Sequence, residues 1–366
     1  KVENPPYGDD ARIIPPFIKG ESAYFLSINR GKKSITLNLK SEEGKKILAS
    51  LIQKSDVLIE NNRPGVMERL GFSYNTVKKI NAQCIMASIS GFGQYGPDKD
   101  KRAYDMVVQG YGGIMSITGT TDGGPVRVGY SIADLAAGLY AATSILGALI
   151  ARSKTNEGQH IDLSMLDCQI ALMENAVVRY SVTGNVPMPI GGRHPSLVPF
   201  QAFKAHNGYF TVAIANERLF KSLCKVLNVE QLIEDGRFAT NAERVNNHGT
   251  LENIFNKIFE TKNKEHWINV LEDAGIPCGP INDVVDLFQS PHVKARNMLI
   301  ETEHYLAGKV ITSGSPIKTS NGDVVSMEPA PILGQHNEEI LRGLGLTTEE
   351  IMSLKGKGVL CLGCQL

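Results

Sequence analysis

The sequence predicts an α/β fold in which a parallel sheet with crossover helices is followed by a smaller α+β unit. Over residues 34–90, short apolar runs rich in β-branched residues alternate with amphipathic segments. A parallel sheet needs that alternation, because each strand must return across the sheet face before the next can pair. From residue 199 the pattern becomes a hairpin followed by helices. With 366 residues and 42% apolar content, the chain can fill more than one core.

In order, "SITLNL" (34–39) reads as a strand, 42–53 as a helix, "DVLIE" (56–60) as a strand and 64–82 as helical. Pro64 suits a first helical position and Ser73 an N-cap. "CIMASIS" (84–90) is the next strand. A helix near 103–116, a Gly-rich turn at 119–124, a long apolar helix opened by Ser131, the strand "HIDLS" and a helix over 165–183 follow. Leu135–Ala151 carries no charge. It approaches the roughly 20 residues of a membrane span. Its Ala and Gly content and the αβ pattern on both sides favour a buried helix instead.

Gly and Pro cluster in "TGNVPMPIGGRHPS" and mark a linker. The expected partition is a large domain over 1–185, a linker over 186–198, a small domain over 199–305 and a terminal segment over 306–366. In the small domain, "FQAFKAHNGYFTVAIA" predicts a hairpin turning at Asn207-Gly208, with helices near 217–227, 250–259 and 264–273.

Lys+Arg and Asp+Glu both total 38, so no net field draws the chain to nucleic acid or an anionic membrane. Six cysteines scattered through so long a chain are no disulfide framework, which points to a reducing, cytosol-like compartment. Cys361 and Cys364 form a CxxC without a second ligand pair, so no zinc site is expected. The eight histidines show no metal spacing, and neither GxxxxGK[ST] nor HExxH occurs. The chain opens "KVENPP" without Met, as expected of one lacking an amino-terminal piece.

Gly91, Gly93 and Gly96 form a GxGxxG after a strand, the pattern of a dinucleotide fingerprint. That fingerprint requires its third Gly inside a helix, whereas Pro97 and "DKDKR" follow here and favour an exposed loop. Arg30, Lys32, Lys33, Lys40, Arg63, Arg69, Lys101 and Arg102 fall in loops and helix starts of the sheet domain. Open α/β folds bind anionic ligands there, which suggests a phosphate-bearing ligand.

Asp134 in "VGYSIADLAAGLY" is the sole charged residue between Arg127 and Arg152. "SMLD" at 164–167 repeats its Ser-x-x-Asp spacing, and both fit an N-terminal capping box. Local sequence does not separate the two aspartates.

The stretches "KVENPPYGDDAR", "YFLSINRGKKSITLNL", "ENNRPGVMERLGFSY", "ASISGFGQYGP", "RAYDMV", "PVRVGYSIADLAAGLYA", "EGQHIDLSMLD", "PFQAFKAHNGYF", "AGIPCGPIND" and "PAPILGQH" together resemble the family III CoA-transferases. The resemblance covers residues 1 to about 356 and is nearest the succinyl-CoA:dicarboxylate branch. It implies a Rossmann-like large domain whose first strand and helix precede Lys1, and a terminal segment that returns to that domain. It also implies an interlocked homodimer in the cytoplasm, or in the mitochondrial matrix of a eukaryote. Coenzyme A thioester is then substrate and not a resident cofactor, and no metal is implied.

In the implied chemistry an aspartate attacks an acyl-CoA thioester, giving a mixed anhydride and CoA thiolate. Position in the motif makes that residue Asp134 and leaves Asp167 as a cap. The implied CoA contacts are Leu37, Lys40, Asn61, Asn62, Arg63, Arg69, Arg102 and Tyr104. Asp105 follows the family's acidic position near the site, and Arg193 or His194 in "GGRHPS" would meet the acceptor carboxylate. The α-methylacyl-CoA racemases of the same fold are a competing implication. They pair the aspartate with a His, and Met115 stands in the segment resembling theirs. An inactive CoA-binding paralogue is the non-enzymatic alternative.

Overall fold

A computed structural model describes residues 1–324 and 326–361. The chain forms two compact units, one of Lys1–Val108, Ser131–Leu172 and the chain from Phe288 onward, the other of Gln109–Tyr130 and Met173–Leu287. The divisions fall at 108/109, 130/131, 172/173 and 287/288. Residues 288–305 go to the first unit because the hairpin of Leu299–His304 with Gly308–Ser313 is tied there. Arg30 donates to Thr312 Oγ1 at 2.6 Å and to the Ser313 carbonyl at 2.9 Å.

In the first unit, β1 (Val2–Glu3) pairs in parallel with β2 (Ile35–Thr36). The helix α1 (Glu42–Gln53) follows, capped by the Ser41 hydroxyl on the Gly44 N–H. Next come β3 (Val57–Glu60), α2 (Tyr74–Ile80) and β4 (Ile85–Ser90). As predicted, Ser73 caps α2. β4 is the central strand of a parallel β3-β4-β5 sheet, where β5 is His160–Ser164. Its run Ile85–Ser88 is buried throughout, as a strand covered on both faces must be. The core holds Ile35, Leu37, Ile47, Ile52, Val77 and Met86, and is completed by Leu341, Ile351, Leu354 and Val359 from the end of the chain. Buried Asn337 ties that end to β2, accepting from the Thr36 N–H and donating to Thr36 Oγ1 and the Cys361 carbonyl.

After β4 come α3 (Asp105–Tyr111) and α4 (Ile132–Thr155). At 24 residues, α4 is about 36 Å long. It is not the buried helix expected. Small residues, Ala133, Ala136, Ala137, Ala141 and Ala148, are buried, whereas Leu135, Leu139, Leu146 and Ile150 are more than half exposed. Length and composition alone would suit a membrane span, yet the helix packs on β4 and β5. The small residues let the backbone approach the sheet, which turns the large apolar residues outward. The single helix expected over 165–183 is two, α5 (Met165–Ala171) and Asn175–Thr183. The break comes where Glu174 adopts φ 49°.

The second unit contains a three-stranded sheet of β6 (Phe200–Ala205), β7 (Gly208–Ala213) and β8 (Cys278–Pro280), joined antiparallel. Its core includes Phe203, Phe210, Phe220, Phe255, Phe259 and Trp267. The hairpin turns at His206-Asn207, one residue earlier than expected. Gly208, at φ 146°, already pairs with Ala205, while the Asn207 side chain accepts from the Lys264 N–H and donates to Glu265.

Cys84, Cys168 and Cys224 are buried free thiols, and Cys278 is partly buried. Burial raises the pKa of each, that of Cys224 to about 12, so none is an activated nucleophile at neutral pH. Cys364, the second member of the CxxC, lies outside the described residues.

Candidate active site

The parallel sheet decides which ends of the chain segments meet. Strands β3, β4 and β5 all run the same way, so their carboxyl ends form one edge, where open α/β sheets bind ligands. Asn61, Asn62 and Arg63 follow β3 directly, and the loop carrying Arg102 and Tyr104 follows β4. Helix α4 brings its amino end to the same edge. In its last turn Arg152 bonds the Asp56 carboxylate at 2.8 Å and the Gln83 carbonyl at 3.1 Å, at the opposite, amino ends of β3 and β4.

Asp134 is therefore in the first turn of α4 at the ligand-binding edge. The capping box read from the sequence does not form there: Ser131 makes no side-chain cap bond and sits at φ −76°, ψ 73°, off the extended conformation of a capping residue. The Asp105 carboxylate instead accepts from the Ala133 N–H at 2.8 Å. That donor is thereby taken and is not open to a substrate oxyanion. At Ser164 the expected contact is present, the hydroxyl accepting from the Asp167 N–H at 3.1 Å.

With its helix capped from elsewhere, the Asp134 carboxylate accepts no hydrogen bond from any described residue, and its side chain reaches solvent. The protein packed around it, and secondarily the negative charge of Asp105, raise its pKa. The helix N-terminus opposes that shift by favouring the anion. A reachable, uncommitted and weakly destabilised carboxylate has the properties of a nucleophile.

Lys40, Asn61, Asn62, Arg63, Arg69, Arg102 and Tyr104 are all exposed and belong to the same unit as Asp134. Their cationic and aromatic groups suit phosphates and a nucleotide base. Arg69 folds back towards Gly65, which adopts φ 80°. Leu37 is different: its side chain is in the apolar core, leaving only its backbone for a ligand. Asp105 is also buried, and its carboxylate holds the start of α4 through the Ala133 N–H. Arg193 and His194 belong to the second unit. His194 Nδ1 accepts there from the Ser196 N–H, and Arg193 adds to burial in lowering the pKa of His248.

The GxGxxG segment opens no helix, and the next begins at Asp105. Instead the Asp162 carboxylate of β5 accepts from the Gln94 N–H at 3.0 Å, pinning a loop in which Gly93 and Gly96 have positive φ. The dinucleotide reading fails on this geometry. No group of three or more potential metal-ligating side chains occurs among the described residues. One buried polar residue, assigned to the second unit, is not singled out by the sequence. Gln109, fully buried on α3, accepts from the Val128 N–H at 2.8 Å and donates to the Tyr130 carbonyl at 3.4 Å. Its only signal in the sequence is a neutral polar residue one turn after Asp105 in an apolar segment.

Residues 1–337 match CoA-transferase family III. The acetyl-CoA:oxalate CoA-transferase of Acetobacter aceti is 44% identical over 324 residues, covering 88% of this chain and 82% of that protein. The Homo sapiens succinyl-CoA:glutarate CoA-transferase is 38% identical over 343 residues, covering 93% and 78%. Among solved structures, a CAIB/BAIF family protein from Brucella suis superposes with a TM-score of 0.82 at 37% identity, covering 94% of this chain and 90% of that one. The parallel-sheet architecture and the sequence match agree: this chain belongs to CoA-transferase family III and is a CoA-transferase.

Proposed function

We propose that the enzyme moves CoA from an acyl-CoA to a small dicarboxylic acid, with Asp134 as covalent nucleophile. The observation carrying this reading is the state of Asp134: it sits in a helix's first turn, yet Asp105 bears the capping duty and the Asp134 carboxylate stays uncommitted.

An Asp134 oxygen attacks the thioester carbonyl, the C–S bond breaks, and CoA leaves as thiolate from an aspartyl–acyl anhydride. The thiolate then attacks the aspartyl carbonyl and expels the donor acid as a carboxylate, leaving an aspartyl thioester. The acceptor carboxylate attacks that thioester and frees the thiolate again. Attack of the thiolate on the acceptor's acyl carbon yields the new acyl-CoA and returns Asp134. The first step needs Asp134 ionised, and the last returns it as the carboxylate. Activity therefore falls as pH drops through the pKa of Asp134, which burial and the Asp105 charge raise from its ordinary value.

Relatives named for oxalate and glutarate exchange support a dicarboxylate acceptor, and one named for succinyl-CoA supports that donor. Lys40, Arg63, Arg69 and Arg102 are assigned to the CoA phosphates, Tyr104 to the nucleotide, Asn61 and Asn62 to hydrogen bonds along it, and the Leu37 backbone to the same ligand. Arg193 and His194 are assigned to the acceptor carboxylate. The exposed leucine stripe of α4 supports a homodimer, since a second copy would take it out of water.

The test is chemical trapping. The protein is incubated with succinyl-CoA or acetyl-CoA and hydroxylamine, and the peptide carrying the hydroxamate is mapped by mass spectrometry. Adduct at Asp134 is expected; adduct at Asp167, or none, would falsify the assignment.

A further inference from the structure

The structure assigns Gln109 as a positioning residue for Asp134, an inference that rests on the nucleophile reading above. Both polar atoms of its fully buried amide are committed to one short stretch of backbone, Oε1 to the Val128 N–H and Nε2 to the Tyr130 carbonyl. Gly129 lies between those two contacts, and nothing stands within 4 Å of where its Cβ would be. The chain around it, from Thr121 to Tyr130, is exposed except at Val128. A glycine in open space leaves the backbone free, so the bracket formed by one amide is what defines its path.

That path leads straight into the catalytic turn. Tyr130 is followed by Ser131, which supplies no cap bond, and then by Ile132, Ala133 and Asp134. Gln109 lies four residues after Asp105 on α3, a spacing that puts both on one helix face. From that face Asp105 holds residue 133 and Gln109 holds residues 128 and 130. The task needs a donor and an acceptor on one short planar group, which an amide has and Leu, Met or ionised Glu lacks.

The experiment follows the first half-reaction in the full chain: release of free thiol from succinyl-CoA or acetyl-CoA in a single turnover, with maximal rate and half-saturating concentration measured separately. Gln109→Met removes the bracket with little change in volume. Misplacing a reacting group by about 1 Å costs on the order of 100-fold. We expect a maximal rate roughly 10- to 100-fold lower, with half-saturation and thermal unfolding midpoint close to wild type. Val128→Pro deletes the same bond from the other side and carries the test if Gln109→Met does not fold. The double variant should be no slower than the slower single one, because Val128→Pro removes one of the two bonds that Gln109→Met already removes. An unchanged maximal rate in the folded variants, multiplicative losses in the double variant, or losses tracking only the unfolded fraction would overturn the assignment. A wild type without adduct at Asp134 overturns the nucleophile itself and this inference with it. A normal wild-type adduct formed at an unchanged rate in the variants overturns Gln109 alone.

Discussion

At Ser164 the hydroxyl accepts from the Asp167 N–H at 3.1 Å, whereas at Ser131 the same Ser-x-x-Asp spacing yields no cap bond and Asp105 holds the Ala133 N–H at 2.8 Å. Equal spacing thus gives one helix start that closes on itself and another that is closed from a different helix. The difference has a chemical consequence. A serine cap leaves nothing for the following aspartate to do but stabilise the helix. An external carboxylate cap frees the aspartate and sets a second negative charge beside it, which helps raise its pKa. The second start is worse as a helix terminus and better as a reactive site, the trade expected where function outweighs local stability.

The largest test of this contrast substitutes each aspartate. Asp134→Asn should lower CoA exchange by about 10⁴-fold or more, as removal of a covalent nucleophile does. Asp167→Asn should leave the rate nearly unchanged and cost about 0.3–1 kcal/mol of charge–dipole stabilisation. Steady-state exchange and urea unfolding read the two effects. Comparable rate losses in both variants would erase the distinction.

Asp105→Asn sharpens the comparison, because its carbonyl oxygen can still accept from Ala133 while its charge is gone. The acid limb of thiol release should move to lower pH as Asp134 becomes easier to ionise; a limb that stays in place would mean the Asp105 charge is not felt. The stability sign is opposite. Asp134 titrates higher in the folded chain than in the unfolded one, so its contribution is complete below the unfolded pKa and is lost as pH rises through the folded pKa. Asp134→Asn should accordingly unfold at neutral pH no more easily than wild type.

Smaller effects separate the serines. Ser164→Ala should cost about 1 kcal/mol as a lost N-cap. Ser131→Ala should cost almost nothing, since no cap bond is there to lose; equal costs in denaturant titration would contradict the geometry. Away from both starts, the buried Glu3 carboxyl provides a control. Burial raises its pKa, but Arg12 and Ser34, with the Asp9 N–H, outweigh burial and lower it. Its contribution is present above the unfolded pKa and lost as pH falls through the folded one. Glu3→Gln should weaken the chain at neutral pH and flatten its acid unfolding, with no change in the acid limb of the rate.

Periodicity made α1, β4, β5 and the Ser73 cap legible, because their apolar spacing and capping residues act within a few positions of themselves. It misjudged α4, where apolar content was evident but the outward-facing side was not. Packing on β4 and β5 selects the alanine face for close approach, and no local pattern encodes that choice. Asp134 stood out as a lone carboxylate in an apolar run, and the surrounding motifs separated it from Asp167. Leu37 shows the opposite limit: a position matched by motif has its side chain in the core.

By itself, the sequence determined the βα alternation, the family and the aspartate to watch, since each is written in contiguous residues. Tertiary structure alone decided that Asp105, 28 positions upstream of Ala133, caps the helix of Asp134. It likewise decided that Gln109 brackets the approach to that helix and that the amino end of α4 lies at the carboxyl edge of the sheet. The physical reason is common to all three. A hydrogen bond between distant residues is specified by the path of the backbone between them, and that path exists only once the sheet and its crossover helices have packed.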